Sequence, residues 1–389
     1  MTTAGFPSNT VRALTVDVDG DVWAGTEYGL MHYDGASWEV FQTTNSGIPD
    51  NDVRALAPAI GGGAWVGTLS GLALYQSGSW TTYNTGNSGI PENYVRCLKE
   101  DPTGGIWVGT AGGLAWFDGG TEWHVYTMDG TSYNGLQLPG INIASLALRG
   151  DGLLCVGTLN AGFTYLTDTT VTVYTTFQNG LPDNTALGVA LDAAGDRWIA
   201  CPAGALLYHA GGFIGGSWVQ FSTINSGIPS DALNAIVIDG SGRRIVASQN
   251  AGIGLFSGFS QWANYQMANS DIPGDEVFCL ALDHNGALWV GTSSGGAARF
   301  DYTAGIDELA ATSLHVFPSP CMGLLHWSLD NASAAEYKVL DGMGRTVLAG
   351  RLSGSFGDLG VEMLGAGSYT LMLSEKGLGI GHRVRFIKG

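Results

Sequence analysis

One motif recurs along most of this 389-residue chain, and that recurrence constrains its fold more than any single residue does. The first two units align without a gap, as NTVRALTVDVDGDVWAGTEYGLMHYDGASWEVFQTTNSGIPD (9–50) and NDVRALAPAIGGGAWVGTLSGLALYQSGSWTTYNTGNSGIPE (51–92). A third begins NYVRCLKEDPTGGIWVGTAGGLAWFDGGTEWHVY (93–126), and further units start near Ile141, Asn184, Asp231 and Asp275. A loop proline marks the period at Pro7, Pro49, Pro91, Pro139, Pro182, Pro229 and Pro273, with spacings of 42 to 48 residues.

Within each unit the columns are regular. A WxGT-like core sits at Trp23, Trp65, Trp107 and Trp289 and weakens to Cys155, Trp198 and Ile245. It leads into Thr26, Thr68, Thr110, Thr158, Cys201, Ser248 and Thr292. A second aromatic column runs Trp38, Trp80, Trp123, Trp218 and Trp262, with Val171 in the fourth unit. Unit 1 reads as four short strands, VRALTVD, DVWAGTE, GLMHYD and SWEVFQ, parted by turns at Asp19-Gly20, Tyr28-Gly29 and Asp34-Gly35. The 61 glycines follow no collagen-like period and fit many tight turns. No segment shows a 3.6-residue apolar period. Four strands per unit of this length is the signature of a β-propeller blade. One such sheet cannot bury both faces alone, whereas a ring of sheets can, so the Trp columns read as packing between blades.

The expected fold is all-β: a seven-bladed propeller over 1–304, a linker over 305–312, and a small Ig-like β-sandwich of about seven strands over 313–389. Unit 7 stops after ARFD (298–301), with no W-x-x-Y strand, while residues 2–9 match the loop at 43–51 that leaves the outer strand of unit 1. The last blade is therefore expected to be incomplete. The chain is expected to be truncated at its N-terminus, where no signal-peptide pattern follows Met1.

Charge is unevenly placed. Residues 1–304 hold 26 acids and 9 bases, a net of −17, while 313–389 hold 6 acids and 7 bases, a net of +1. So acidic a surface disfavours a nucleic-acid partner. There is no apolar run long enough for a membrane span. Cys97, Cys155, Cys201, Cys279 and Cys321 form no CxxC pair and read as small buried residues.

Two resemblances follow from these motifs. The pattern N-x-V-x-x-L-x-x-D-x-x-G-x-x-W-x-G-T-x-x-G-L-x-x-Y-D resembles the two-component regulator propeller repeat across 1–301, well matched in units 1, 2, 3 and 7 and degenerate in 5 and 6. That family forms periplasmic sensor propellers, often on glycan-responsive histidine kinases, and free-standing secreted proteins. No kinase or transmembrane relay is visible, so the resemblance implies a ligand-binding propeller. The segment from 316 resembles a type A sorting domain of the type IX secretion system. It has a P-x-P opening (Pro318, Pro320), a D-x-x-G-R turn (Asp341, Gly344, Arg345), a G-x-Y strand entry (Gly367, Tyr369) and a terminal basic strand ending at Lys388. Ser319 stands where that family more often has Asn. The resemblance implies the type IX secretion machinery as partner and an extracellular or outer-surface location.

Enzyme signatures such as G-x-S-x-G, H-E-x-x-H or a Walker loop are absent, and the seven histidines show no metal-ligand spacing. No catalytic residue, metal or cofactor is expected. The string DVDGD (17–21) resembles the start of a calcium loop but lacks the closing Glu, and reads as a hairpin turn. The candidate site is the column one residue into the innermost strand: Arg12, Arg54, Arg96, Ala144, Leu187, Asn234 and Phe278. Its three arginines on adjacent blades would form a basic patch at the channel mouth, suited to a carboxylate or sulfate such as an acidic glycan presents. Pairing with Asp52 or Glu92 is the structural alternative. The column Asn9, Asn51, Asn93, Asn184, Asp231 and Asp275 reads as turn caps. Three functions remain open: a secreted, non-catalytic binding propeller for a small molecule or glycan, a propeller lyase acting on a glycan or cyclic peptide with His32 or His284 as base, and a structural or adhesion protein.

Overall fold

The computed structural model describes residues 6–129, 131–177, 181–192, 195–208, 218–258, 261–302, 314–317, 321–329, 334–341, 345–353, 356–375 and 381–389. Up to Tyr302 it holds six four-stranded antiparallel sheets and a seventh of three strands, each formed by consecutive strands. Blade 1 comprises Val11–Val16, Val22–Thr26, Gly29–Tyr33 and Trp38–Phe41. Each strand falls within the segment read from the sequence.

Local chemistry closes each hairpin. At the first turn Asp17 Oδ1 accepts the amides of Asp19 at 3.1 Å and Asp21 at 3.0 Å, while Gly20 adopts φ +91°. Segment 17–21 is thus a hairpin turn. At the second turn the Thr26 hydroxyl donates to Gly29 O at 2.8 Å and accepts from Tyr28 N at 3.2 Å. Thr68, Thr110, Thr158, Ser248 and Thr292 make the same bond to a carbonyl, and in blade 5 the Cys201 thiol replaces it, with its sulfur 3.2 Å from Gly204 O. This explains a column that the sequence displayed without a reason.

The glycine of the WxGT motif is set by close approach. A β-carbon on Gly67 would lie 2.5 Å from Val95 Cγ1 of the next blade, and one on Gly291 would lie 2.8 Å from Val11 Cγ1. Blades therefore abut backbone to side chain at their inner edges, and blade 7 abuts blade 1 in the same way. The Trp columns pack across the same junctions: Trp65 on Phe117, Trp198 on Phe256, Trp80 on Phe41 and Trp262 on Phe221. The ring closes through Thr10 Oγ1 donating to Ser293 O and Gly296 N donating to Asn9 O, each at 2.8 Å. Among the described residues blade 7 has three strands, Val277–Leu282, Leu288–Thr292 and Ala297–Phe300.

Beyond the propeller, a three-stranded sheet (Leu314–Phe317, Leu324–Leu329, Phe356–Gly360) and a four-stranded sheet (Thr346–Ser353, Ala334–Leu340, Gly367–Glu375, Gly381–Lys388) share one core. Leu325, Trp327, Val339, Leu371 and Phe386 fill it. Among the described residues this unit holds seven strands.

Candidate functional site

The arginine column owes its position to a backbone irregularity. In blade 1, Val11 pairs with Thr26 and Ala13 with Gly25, so Arg12 is an extra residue opposite no partner. The same register shift places Arg54, Arg96, Ala144, Asn234 and Phe278 on bulges. A bulge bends the strand and re-aims the side chain it carries. Here it turns these side chains out of the blade stack, and most converge on the axial mouth. The face concerned is the one that carries the inter-blade loops.

The mouth is a cavity of about 210 Å³ lined by Arg12, Arg54, Tyr94, Arg96, Ala144, Leu159, Leu187 and Phe278. Its two halves differ: blades 1 to 3 supply the guanidiniums, and the aliphatic side chains come from blades 4 and 5. Arg54 donates to Asp52 Oδ2 at 2.6 Å, and Arg12 lies 3.2 Å from Glu27 Oε2 and 3.7 Å from Asp52 Oδ1. Burial alone would lower the Arg54 pKa, but the hydrogen bond and charge of Asp52, with smaller contributions from Tyr94 and Glu27, raise it above its ordinary value. Arg96 differs from both. Its Nε, like theirs, is buried without an acceptor, but its guanidinium lies over the Tyr94 ring at 4.2 Å and no described carboxylate is in ion-pair range. Three guanidiniums against the two carboxylates of Glu27 and Asp52 leave one cation uncompensated, and the geometry assigns it to Arg96.

Two sequence expectations change here. Glu92 does not pair with an arginine, because its Oε1 accepts the Asn93 amide at 2.8 Å. Asn234 sits on a bulge but does not line the cavity. Its Nδ2 donates to Val277 O at 2.8 Å, and its Oδ1 accepts from Gln249 at 3.2 Å. The Asx column acts as turn caps: Asn51, Asn93, Asn184, Asp231 and Asp275 each accept a backbone amide from across the inter-blade loop at 2.7–2.9 Å.

Elsewhere the structure assembles groups that the sequence kept apart. Asp17, Asp21 and His32 place potential metal-ligand atoms within 4.8 Å of one another. Strand pairing of Trp23 with His32 is what brings them together. Their polar atoms already have partners: Asp17 Oδ2 accepts Trp23 Nε1 at 2.8 Å, and His32 Nε2 lies 2.8 Å from Asp21 Oδ2. A second groove, of about 380 Å³, lies between blades 1 and 7 at the opposite end of the strands and includes Tyr33, His284, Trp289 and Arg299. Neither His32 nor His284 lines the mouth. The cysteines are packing residues: burial pushes the thiols of Cys97, Cys155 and Cys201 up to about 12.

In the C-terminal unit, Asp341 accepts from the Arg345 amide at 3.0 Å and from Arg345 Nε at 2.8 Å, closing the turn between two strands. Gly367 begins a strand and pairs with Lys388, whose Nζ donates to Gly389 O. Tyr369 stacks on Phe386. Pro318, Pro320 and Gly344 lie outside the described residues, as does the linker at 305–312.

The two-component regulator propeller family matches residues 5–28, 89–112 and 271–294. No curated protein sequence matches the chain. Among solved structures, the chain is similar over its whole length to PorZ, described as an essential bacterial surface component of the type-IX secretion system of Porphyromonas gingivalis. That match has 16% identity and a TM-score of 0.60 and covers 60% of PorZ. The chain is also similar over its whole length to the extracellular domain of a hybrid two-component system from B. thetaiotaomicron, at 18% identity and TM-score 0.65, covering 56% of that domain. A streptogramin B lyase matches 76% of this chain and 94% of its own, at 16% identity and TM-score 0.58. The chain thus spans under two thirds of the first two relatives, and at these identities the likeness is one of fold. A ring of seven blades in an all-β chain, three segments of which match the regulator propeller repeat, is what these comparisons and the structure together establish.

Proposed function

We propose that the propeller is a non-catalytic ligand-binding module, secreted or held at the outer cell surface, whose mouth receives an anionic group on Arg96. The observation that carries this reading is the uncompensated Arg96 guanidinium facing a cavity walled on its far side by Ala144, Leu159 and Leu187. Arginine binds carboxylate and sulfate in bidentate geometry, and its stacking on Tyr94 holds the plane in place. The cavity is smaller than the ~300–1,000 Å³ of sites that enclose a drug-sized ligand. It suits one acidic terminus of a larger molecule, such as the uronic or sulfated end of a glycan, rather than the whole of it. The lyase reading gains no support at the mouth, whose lining contains no histidine.

The C-terminal unit we read as the export address for type IX secretion, which the Asp341–Arg345 turn and the Gly367–Tyr369 strand entry support. Among the described residues no helix is long and apolar enough to cross a membrane.

Calorimetric titration of the full chain with uronate-terminated and sulfated oligosaccharides, beside their neutral counterparts, tests the ligand reading. The acidic sugars should bind, the neutral ones should not, and Arg96→Gln should weaken binding at least about tenfold, since a hydrogen bond to a charged group contributes roughly 1.5–3 kcal/mol. Equal binding by wild type and Arg96→Gln, or no binding by any acidic sugar, would overturn it.

A further inference from the structure

The repeat supplies an internal control for every inter-blade contact, and one junction breaks its rule. The first residue of the second strand is apolar in five blades and arginine in two, Arg197 in blade 5 and Arg244 in blade 6. The residue that opens the first turn is Asp17, Asp101, Asp192, Asp239 or Asp283, but Ala59 in blade 2 and Arg149 in blade 4. At the junction of blades 5 and 6 the two columns answer each other. Arg244 Nη2 donates to Asp192 Oδ2 at 2.8 Å while its guanidinium lies over Trp198 at 4.9 Å.

One blade back, the position equivalent to Asp192 is held by Arg149, so Arg197 finds no aspartate there. Arg197 is only 8% exposed, and its Nε, like that of Arg244, is buried without an acceptor. It lies over Tyr165 at 4.1 Å and Tyr208 at 5.2 Å, and no described carboxylate is in ion-pair range. Tyr165 is equally buried, and its hydroxyl has no partner. Arg149 spends Nε and one Nη on Asp151, while Nη1 faces blade 5, 2.9 Å from where a β-carbon on Gly195 would lie. The neighbouring Cys155 thiol is no substitute anion, because burial keeps it protonated.

Two guanidiniums and an unpartnered phenol therefore converge where the repeat elsewhere places a carboxylate. A desolvated cation without a counter-ion is strongly unfavourable, and stacking on tyrosine offsets that only in part. We propose that the junction of blades 4 and 5 is a small-anion site, filled by chloride held between Arg197, the Arg149 Nη1 edge and the Tyr165 hydroxyl. The bound ion does for blade 5 what Asp192 does for blade 6. The site is separate from the mouth, and its occupancy would couple the ring's stability to the halide in the medium.

Thermal unfolding of the full chain in sodium chloride and sodium fluoride at matched ionic strength tests this. The midpoint should rise saturably with chloride and not with fluoride. Arg149→Asp, which restores the repeat's own aspartate, should abolish the chloride dependence while leaving the midpoint in fluoride at or above that of wild type. Tyr165→Phe should move the half-saturating chloride concentration upward by several fold, and Arg96→Gln at the mouth should leave it unchanged. A bromide-soaked crystal should show an anomalous peak within hydrogen-bond distance of Arg197. No difference between chloride and fluoride would overturn the proposal. So would a chloride effect that survives Arg149→Asp, or one that disappears in Arg96→Gln.

Discussion

Gly25 and Val53 meet so closely that a β-carbon on the glycine would fall 2.5 Å from Val53 Cγ1. The contact joins blade 1 to blade 2 at the inner edge of the ring, where Val53 is fully buried. Gly25→Ala should therefore destabilise the chain by ~1–3 kcal/mol through overpacking. Gly20→Ala, at a turn where nothing lies within 4 Å, strains only the backbone at φ +91°. Urea unfolding of both variants, with Val53→Ala as a relieving partner for Gly25→Ala, separates the two effects. Rescue by Val53→Ala is expected for Gly25→Ala alone.

The hairpin hydroxyl predicts a gain rather than a loss in blade 5. Cys201 makes through sulfur the bond that Thr makes through oxygen in five blades and Ser in one. Cys201→Thr should raise stability by a few tenths to ~1 kcal/mol, the usual net range for a neutral hydrogen bond, and Thr26→Val should lower it by ~1 kcal/mol. Denaturant midpoints check both, and a less stable Cys201→Thr would contradict this account of the column.

Acid sensitivity should centre on the turn aspartates. Burial alone would raise the Asp239 pKa, but hydrogen bonds from the Arg243 amide, the Arg243 guanidinium and the Tyr302 hydroxyl lower it below the ordinary value. Asp283 is lowered similarly by Arg299 and two amides against its own burial. A depressed folded-state pKa contributes stability that is present above the unfolded value of ~3.9 and is lost as pH falls through the folded value. Stability should accordingly be flat from pH 7 to 5 and fall below pH 4. Asp239→Asn should cost ~1–3 kcal/mol at neutral pH, with that difference shrinking in acid. Chemical denaturation at pH 7, 5 and 3.5 gives the comparison.

At the mouth, Asp52 holds two arginines at once. Asp52→Asn would leave Glu27 as the one carboxylate facing three guanidiniums. Sulfate or glucuronate should then bind more tightly than to wild type, with steeper weakening in salt. Titration at 50 and 300 mM sodium fluoride measures this, and weaker binding by the variant would count against the mouth as an anion site.

Architecture was legible because the repeat is covalent: aligned columns give the blade period, and Gly and Asx punctuation gives the strands. The arginine column could be sent to the channel mouth on the same grounds. Its bulge could not, since a register shift depends on how Val11 and Ala13 pair across to Thr26 and Gly25. Charge pairing was legible in part: Asp52 was expected as an arginine partner and pairs with Arg54 and Arg12. Arg12 turned to Glu27 on its own blade's second hairpin, a residue 15 positions away that no column flagged. The contrast between Arg244 and Arg197 needed both a column and a neighbour. Each arginine looks alike in sequence, and only the residue one blade back distinguishes them.

The bulge has one more consequence. A residue on it does not pair with the second strand, so the sheet of its own blade does not fix its identity. Arg, Ala, Asn and Phe all occupy it in this one chain. Selection can therefore rewrite the mouth one blade at a time while the scaffold stays as it is, and Ala144→Arg or Phe278→Lys should alter what binds without altering how firmly the ring holds together.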